Sequence, residues 1–186
     1  MLFRSYGLRV HKFTRKELID EGYGRKVFDL LNATYKDLYG FSELSDRQID
    51  KLVNSYIKIA DLNLVTAIMD GDKMVGFGIT FPSFSRAMQK TRDGRFLPFG
   101  WWQMLKILKW HKTPIVDLLL IGVLPEYRAK GANALIFDDL IRWFQRYNFQ
   151  WAETGPQMES NEGVLSQWQY LEATQHRRHR CYRKNL

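Results

Sequence analysis

Cysteine is nearly absent: Cys181 stands alone in 186 residues. No internal disulfide can form, and a reduced thiol in a cytoplasmic protein is the expected state. Long apolar runs are also missing, since none approaches the roughly 18 uninterrupted residues of a membrane span. The opening MLFRSYGLRVHKF lacks the apolar core of a secretory signal. Repeats and low-complexity stretches are absent as well. The four histidines, His11, His111, His176 and His179, make no ligand spacing with an acid or with Cys181, so no metal site is expected. No Ser–His or Cys–His pattern supports a nucleophile system.

What is present is an ordinary globular composition, 45% hydrophobic and 26% charged, which excludes a disordered tail. The length fits about one to one and a half domains. The net charge of +8 is unevenly spread. Between Ser83 and Lys112, Arg86, Lys90, Arg92, Arg95, Lys106, Lys109 and Lys112 face a single acid, Asp93. After Glu172 come Arg177, Arg178, Arg180, Arg183 and Lys184 with no acid. Two basic patches of this kind attract phosphate, whether on a nucleotide cofactor, a nucleic acid or a lipid headgroup, or they form a solvated surface.

Periodicity sets the element order. Gly7–Phe13 reads as a short strand. Thr14-x-x-Glu17 and Ser45-x-x-Gln48 are capping boxes that open helices, and Gly22 and Gly24 are expected to interrupt the first. Val27, Leu31, Thr34, Tyr35 and Leu38 recur at helical spacing. Leu62–Asp70 and Lys73–Phe81 read as strands joined by a tight turn at Gly71-Asp72. Ile115–Val123 reads as a buried central strand, Gly131–Tyr147 as an amphipathic helix and Phe149–Glu153 as a strand. A short helix over Asn161–Tyr170 and a final strand over Arg177–Arg183 close the chain. The order predicts an α/β (α+β) fold with a mixed, mostly antiparallel sheet of six or seven strands and helices on both faces.

The stretch at about 83–113 is an insertion, far longer than an ordinary connection. It carries Phe96, Leu97, Phe99, Trp101, Trp102, Met104, Leu105, Ile107, Leu108 and Trp110. From Gly100 to Trp110 only Gln103, Lys106 and Lys109 are polar, in one narrow stripe. Three readings stand: it packs into the core, it covers a substrate pocket or partner domain, or it touches membrane.

The most informative stretch is LLLIGVLPEYRAKGANALIF, Leu118 to Phe137. An apolar strand enters Pro125, then Arg128-x-x-Gly131, then a helix. Backbone N–H groups from Ala129 to Ala134, with the positive end of the helix dipole, can hold a pyrophosphate. The glycine permits close approach, and Arg128 and Lys130 add charge. A plain turn is the alternative that these residues leave open.

The string Val123-Leu124-Pro125-Glu126-Tyr127-Arg128, followed by Gly131-x-Asn133, resembles the acetyl-CoA motif of the GNAT superfamily of acyl-CoA N-acyltransferases. The likeness runs through Val75–Met88, Gly94–Gly100, Gly122–Gly131, Ala152–Asn161 and His179–Tyr182. It looks closest to the C-terminal domain of a two-domain bacterial group, so one GNAT-like domain over 1–186 is expected, as a fragment lacking an N-terminal domain or as a single-domain relative. A second such domain or a homodimer partner follows from the same likeness. So does a sheet splayed between the strands ending at Val123 and Glu153.

The resemblance also implies site residues. Backbone groups of Ile121, Gly122 and Val123 would pair with the pantetheine arm. Arg128, Ala129, Lys130, Gly131, Ala132, Asn133 and Ala134 would hold the pyrophosphate, and Asn161 would position the arm and thioester. Trp168 falls where many members carry a tyrosine that protonates the leaving thiolate, and Asn133 replaces the usual second glycine. Acetyl-CoA is the expected acyl donor and an unidentified amine the acceptor, by direct attack in a ternary complex. A protonated amine needs a base or a water chain to one. Asp117, Glu153 and Glu159 are the candidates, with Glu153 placed first, and a backbone donor near Val123 would hold the oxyanion. Trp168 and Asn133 also suit a silent domain that binds CoA or packs against a partner. No dedicated nucleic-acid motif occurs, and contact with nucleic acid or membrane is not expected.

Overall fold

The computed structural model describes residues 7–91, 100–180, 182 and 184. They divide into two units, 1–153 and 154–186. The first begins with strand β1 (Leu8–His11) and helix α1 (Arg15–Ile19). The capping box is present: Thr14 accepts from the Glu17 amide, and the Glu17 carboxylate accepts from the Thr14 amide at 2.7 Å. That backbone bond, ahead of the Thr14 hydroxyl, holds the Glu17 carboxyl below its usual range. Helix α2 (Tyr23–Tyr35) starts after Gly22, but Gly24 lies inside it instead of interrupting it. A Cβ on Gly24 would come 2.7 Å from the Leu18 carbonyl oxygen, so its role is close packing of α1 on α2. Helix α3 (Asp46–Tyr56) opens at the second capping box, Ser45 with Gln48.

Strands β2 (Val65–Asp70) and β3 (Lys73–Pro82) form the expected hairpin, with Asp70 opposite Lys73. Helix α4 (Ser85–Gln89) follows and was not expected from the pattern. Then come α5 (Gly100–Trp110), β4 (Ile115–Val123), α6 (Pro125–Arg128), α7 (Ala132–Arg146) and β5 (Trp151–Thr154). The described residues form one five-stranded sheet, ordered β1-β2-β3-β4-β5 and antiparallel from β1 to β4. Its two faces carry separate cores. On one, α7 sets Ile136, Leu140 and Phe144 against Ile68, Val75 and Val116. On the other, Leu18, Val27, Leu30 and Leu31 of α1 and α2 cover Ala67 and Phe77.

The second unit holds α8 (Glu162–Leu165) and a 3-10 helix over Ser166–Tyr170 where one helix was expected. The sheet has five strands, not six or seven, among the described residues. Arg177–Arg180 and Tyr182 are exposed and in no strand, while Cys181 and Arg183 of the expected last strand lie outside the described residues. So do residues 92–99 of the insertion, including Phe96, Leu97 and Phe99.

The described part of the insertion forms a helix, α5, packed on α4. Ile107 is its buried anchor, whereas Trp101, Trp102 and Trp110 are 49%, 39% and 45% exposed. The tryptophan face therefore neither enters the core nor closes over the cleft, which leaves the partner-domain and membrane readings of that face. His111, at φ 49, ends the helix. It stacks on Tyr147 with ring centroids 3.9 Å apart and sets Nε2 2.9 Å from Asp61 Oδ2, which fixes α5 to the domain.

Candidate active site

The site grows from an irregularity in β4. Ile79 pairs with Leu120 but Thr80 pairs with Leu118, so Leu119 is an extra, half-exposed residue, a β-bulge. The Leu124 amide donates to the Val75 carbonyl. By alternation Ile121 and Val123 then turn their N–H and C=O groups away from β3. Strand β5 does not cover them. It is four residues against nine, and the Gln150 and Trp151 amides both donate to Pro114 O, just before β4 begins. The outer edge of β4 past the bulge is met by side chains. Tyr35 on α2 donates to Ile121 O at 2.9 Å and accepts from Ile121 N at 3.4 Å. Arg128 Nε donates to Val123 O at 3.2 Å. Burial pushes the Tyr35 hydroxyl pKa up. This opening is the splay expected between the strands ending at Val123 and Glu153.

Gly122 sits between these two positions. A Cβ there would stand 2.6 Å from Phe77 Cε1 and 2.7 Å from Thr34 Oγ1, so glycine lets α2 close on β4 and brings Tyr35 to the strand edge. Tyr35 is a site residue that sequence reasoning missed. Its helical spacing marked it as a face of α2, and nothing local said that its hydroxyl meets a strand 86 positions away.

At the C-terminal end of β4, the short helix α6 turns through Ala129 and Lys130 into Gly131, the N-cap of α7 at φ 79 and ψ 12. The first bond of the new helix joins the Leu135 amide to Gly131 O. The amides of Ala132, Asn133 and Ala134 thus precede the helical ladder, and Gly131 has no side chain to cap them. They carry the positive end of a 15-residue helix. Arg128, Ala129 and Lys130 are exposed beside them. Tyr127 is buried beneath and bonds Asp70 Oδ2 at 2.9 Å, while Lys130 lies 4.3 Å over its ring. The turn is therefore held from below and open above. Arg128 is partly committed, because its Nε folds back on Val123.

Two carboxylates lie toward the other end of the opening. Asp117 on β4 is half-buried, and burial lifts its carboxyl above the ordinary range. A bond to Ser83 opposes that lift and the nearby Glu153 carboxylate adds to it. Ser83 is itself buried and shares a 2.9 Å bond with Ser85. The fold thus pairs Asp117 with Glu153, the candidate placed first.

The remaining candidates belong to the second unit. Glu159 is exposed. Asn161 is the N-cap of α8 but makes no side-chain cap. Trp168 donates its indole N–H to Gln157 Oε1 at 2.7 Å, so that donor is engaged inside the unit. Among the described residues, Ile121, Gly122, Val123 and 128–134 come together on the first unit, with Asp117 and Glu153 further down the same strands.

A bulged β4 parted from β5, a glycine-capped helix after it and helices on both sheet faces define the GNAT type of acetyltransferase fold, and this chain has that fold. Solved structures agree. The aminoglycoside N-acetyltransferase AAC(6')-Iy in complex with CoA is 16% identical, covers 100% of both chains and superposes with a TM-score of 0.56. The aminoglycoside 6'-N-acetyltransferase AAC(6')-Ih from Acinetobacter baumannii is 14% identical, covering 97% of this chain and 99% of that one, with a TM-score of 0.55. AAC(6')-Iy has also been solved with a bisubstrate analogue, CoA-S-monomethyl-acetylneamine. Among curated proteins, the bacterial ceramide synthase of Caulobacter vibrioides is 21% identical over 167 residues. That match takes in 85% of this chain and 42% of the synthase, so the chain spans less than half of that relative's length. No protein-family profile matches the chain.

Proposed function

We propose that this chain is an acyl-CoA-dependent N-acyltransferase that uses acetyl-CoA and an amine acceptor. The observation that carries the reading is the N-terminus of α7: three backbone amides ahead of the helical ladder, behind a left-handed glycine, opening off the parted edge of β4. Such a terminus suits a pyrophosphate. Gly131, Ala132, Asn133 and Ala134 would hold it through the backbone, with Ala129 shaping the turn and Arg128 and Lys130 adding charge. The outward groups of Ile121 and Val123, flanking Gly122, suit an amide-bearing pantetheine arm, which would take over the bonds now made by Tyr35 and Arg128. The Val123 amide points the same way and can stabilise a developing oxyanion.

Transfer requires a neutral amine. Its nitrogen attacks the thioester carbonyl carbon, the C–S bond breaks, the thiolate leaves and the amine proton passes to a base. Asp117 and Glu153 are the carboxylates available on the two strands, and the raised pKa of Asp117 brings it nearer the range of a useful base. Asp117 lies four positions before Ile121, about 13 Å of strand, so the proton travels through water. Asn161, Glu159 and Trp168 belong to the second unit, and Trp168 carries an indole that cannot ionise in this range. The leaving thiol, near pKa 8.5, partly manages without one.

The relatives support this class of chemistry. The aminoglycoside enzymes acetylate amines, and ceramide is itself an amide. The acceptor is not assigned. The test is calorimetry with acetyl-CoA, CoA and AMP, followed by thiol release with an aminoglycoside and with a long-chain amine. Acetyl-CoA binding with thiol release supports the enzyme. Binding without release against any amine supports the silent domain that the engaged Trp168 indole favours. No binding removes both.

A further inference from the structure

We infer that α5 and its neighbour α4 form a docking surface for an anionic phospholipid bilayer, independent of the acyltransferase reading. The sequence made membrane contact unexpected, and the structure changes the balance. Three of the chain's six tryptophans gather on the solvent side of one 11-residue helix. Trp102 packs edge-on against Trp101 at 5.6 Å and against Trp110 at 5.9 Å, so the rings form one contiguous patch. All three are more than a third exposed, and each neighbours water that an apolar ring does not favour. Lys106 lies 5.6 Å over Trp102 and Lys109 5.3 Å over Trp110, so the cations rim the rings.

Beside the rings, α4 and α5 enclose a groove of about 590 Å³. Arg86, Lys90, Lys106 and Lys112 line it, over a floor of Ala87 and Ile107, and its described lining contains no acid. Neither α4 nor α5 carries an aspartate or glutamate. Met88 on α4 is also exposed. Indole rings settle at the headgroup level of a bilayer, where the ring is half-buried and the N–H stays wet. Lysines and arginines at the same depth meet lipid phosphates. The pairing of tryptophan rings with a four-cation groove matches that boundary layer and fits a purely apolar protein partner poorly. No helix of the described residues is long and apolar enough to cross a membrane, so the contact is peripheral.

The test is flotation of the full chain with vesicles of phosphatidylcholine alone and with about 30% phosphatidylglycerol. The chain should float with the anionic vesicles, and raising NaCl to about 0.5 M should weaken it. Replacing Trp101, Trp102 and Trp110 together by alanine should lower partitioning by about tenfold or more, with the circular dichroism unchanged. Lys90→Gln and Lys112→Gln should each weaken it by about fivefold. Because a triple variant can misfold, brominated lipid in the anionic vesicles gives a second reading on the parent chain: its tryptophan fluorescence should be quenched. Failure to float with anionic vesicles, equal binding to neutral ones, a folded triple variant that floats like the parent, or no quenching would each overturn the proposal. Tryptophan-dependent binding to a DNA duplex without vesicle binding would do so as well, and would name nucleic acid as the occupant.

Discussion

Replacing Gly131 with valine puts a β-carbon where α7 begins, and the structure separates its two consequences. The residue sits at φ 79, and a Cβ built there meets no protein atom within 4 Å. The cost to folding is therefore the backbone term alone, about 1–2 kcal/mol for an L-residue in the left-handed region and more for a β-branched one. For a chain of this size each kcal/mol lowers Tm by about 2–4 °C. The cost to binding comes from the ligand side. A phosphate on the Ala132–Ala134 amides must approach to about 3 Å, and losing one charge-assisted bond costs roughly 1.5–3 kcal/mol. CoA affinity should fall by about tenfold to a hundredfold, read by calorimetry. Gly131→Asn is the control, since asparagine enters the left-handed region readily. It should keep Tm near the parent and still lose affinity. A folded Gly131→Val that binds CoA like the parent would refute the placement of the pyrophosphate. Normal binding by Gly131→Asn would assign any loss in the valine variant to the backbone.

Gly122→Ala should destabilise the chain by about 1–3 kcal/mol through overpacking against Phe77 and Thr34, read as a lower urea midpoint with unchanged slope. Tyr35→Phe removes the hydroxyl that bonds Ile121 on both backbone atoms. It should cost about 0.5–1.5 kcal/mol without ligand and less with saturating CoA, measured by melting with and without the cofactor. Asp117 has a folded pKa raised by burial. The folded state thus holds its proton longer, and stability falls as pH rises from the unfolded value through the folded one. Asp117→Asn should remove that part of the pH dependence, in melts taken across the acidic range, and should shift the acidic limb of the rate profile if Asp117 is the base. Asn133→Gly should leave CoA affinity unchanged or improve it, and Glu153→Gln should reduce turnover with little effect on CoA binding.

Local chemistry made much of this protein legible before folding. Both capping boxes, the Asp70–Lys73 turn, all nine residues of β4 and the amphipathic α7 are set by contacts within a few positions or by a clear period. The strand–turn–glycine–helix sequence around Gly131 is equally local, which is why the candidate phosphate turn could be read from spacing. Other features depend on residues far apart in the chain. Gly24 looked like a break because only Leu18, Val53 and Ile57 around it explain a glycine inside a helix. The bulge at Leu119 exists through register with β3, and the parting of β4 from β5 through the short length of β5. Tyr35 reaches Ile121 only because Gly122 lets α2 close on the sheet. The tryptophan-rich insertion shows the division most clearly. Its apolar content was visible in sequence, but the same 11 residues could face a core, a cleft or a boundary. Ile107 packing toward α4, with Trp101, Trp102 and Trp110 turned outward, is a choice that tertiary contacts make, because a helix with apolar residues on most of its surface has no single face that its own sequence can designate as inside.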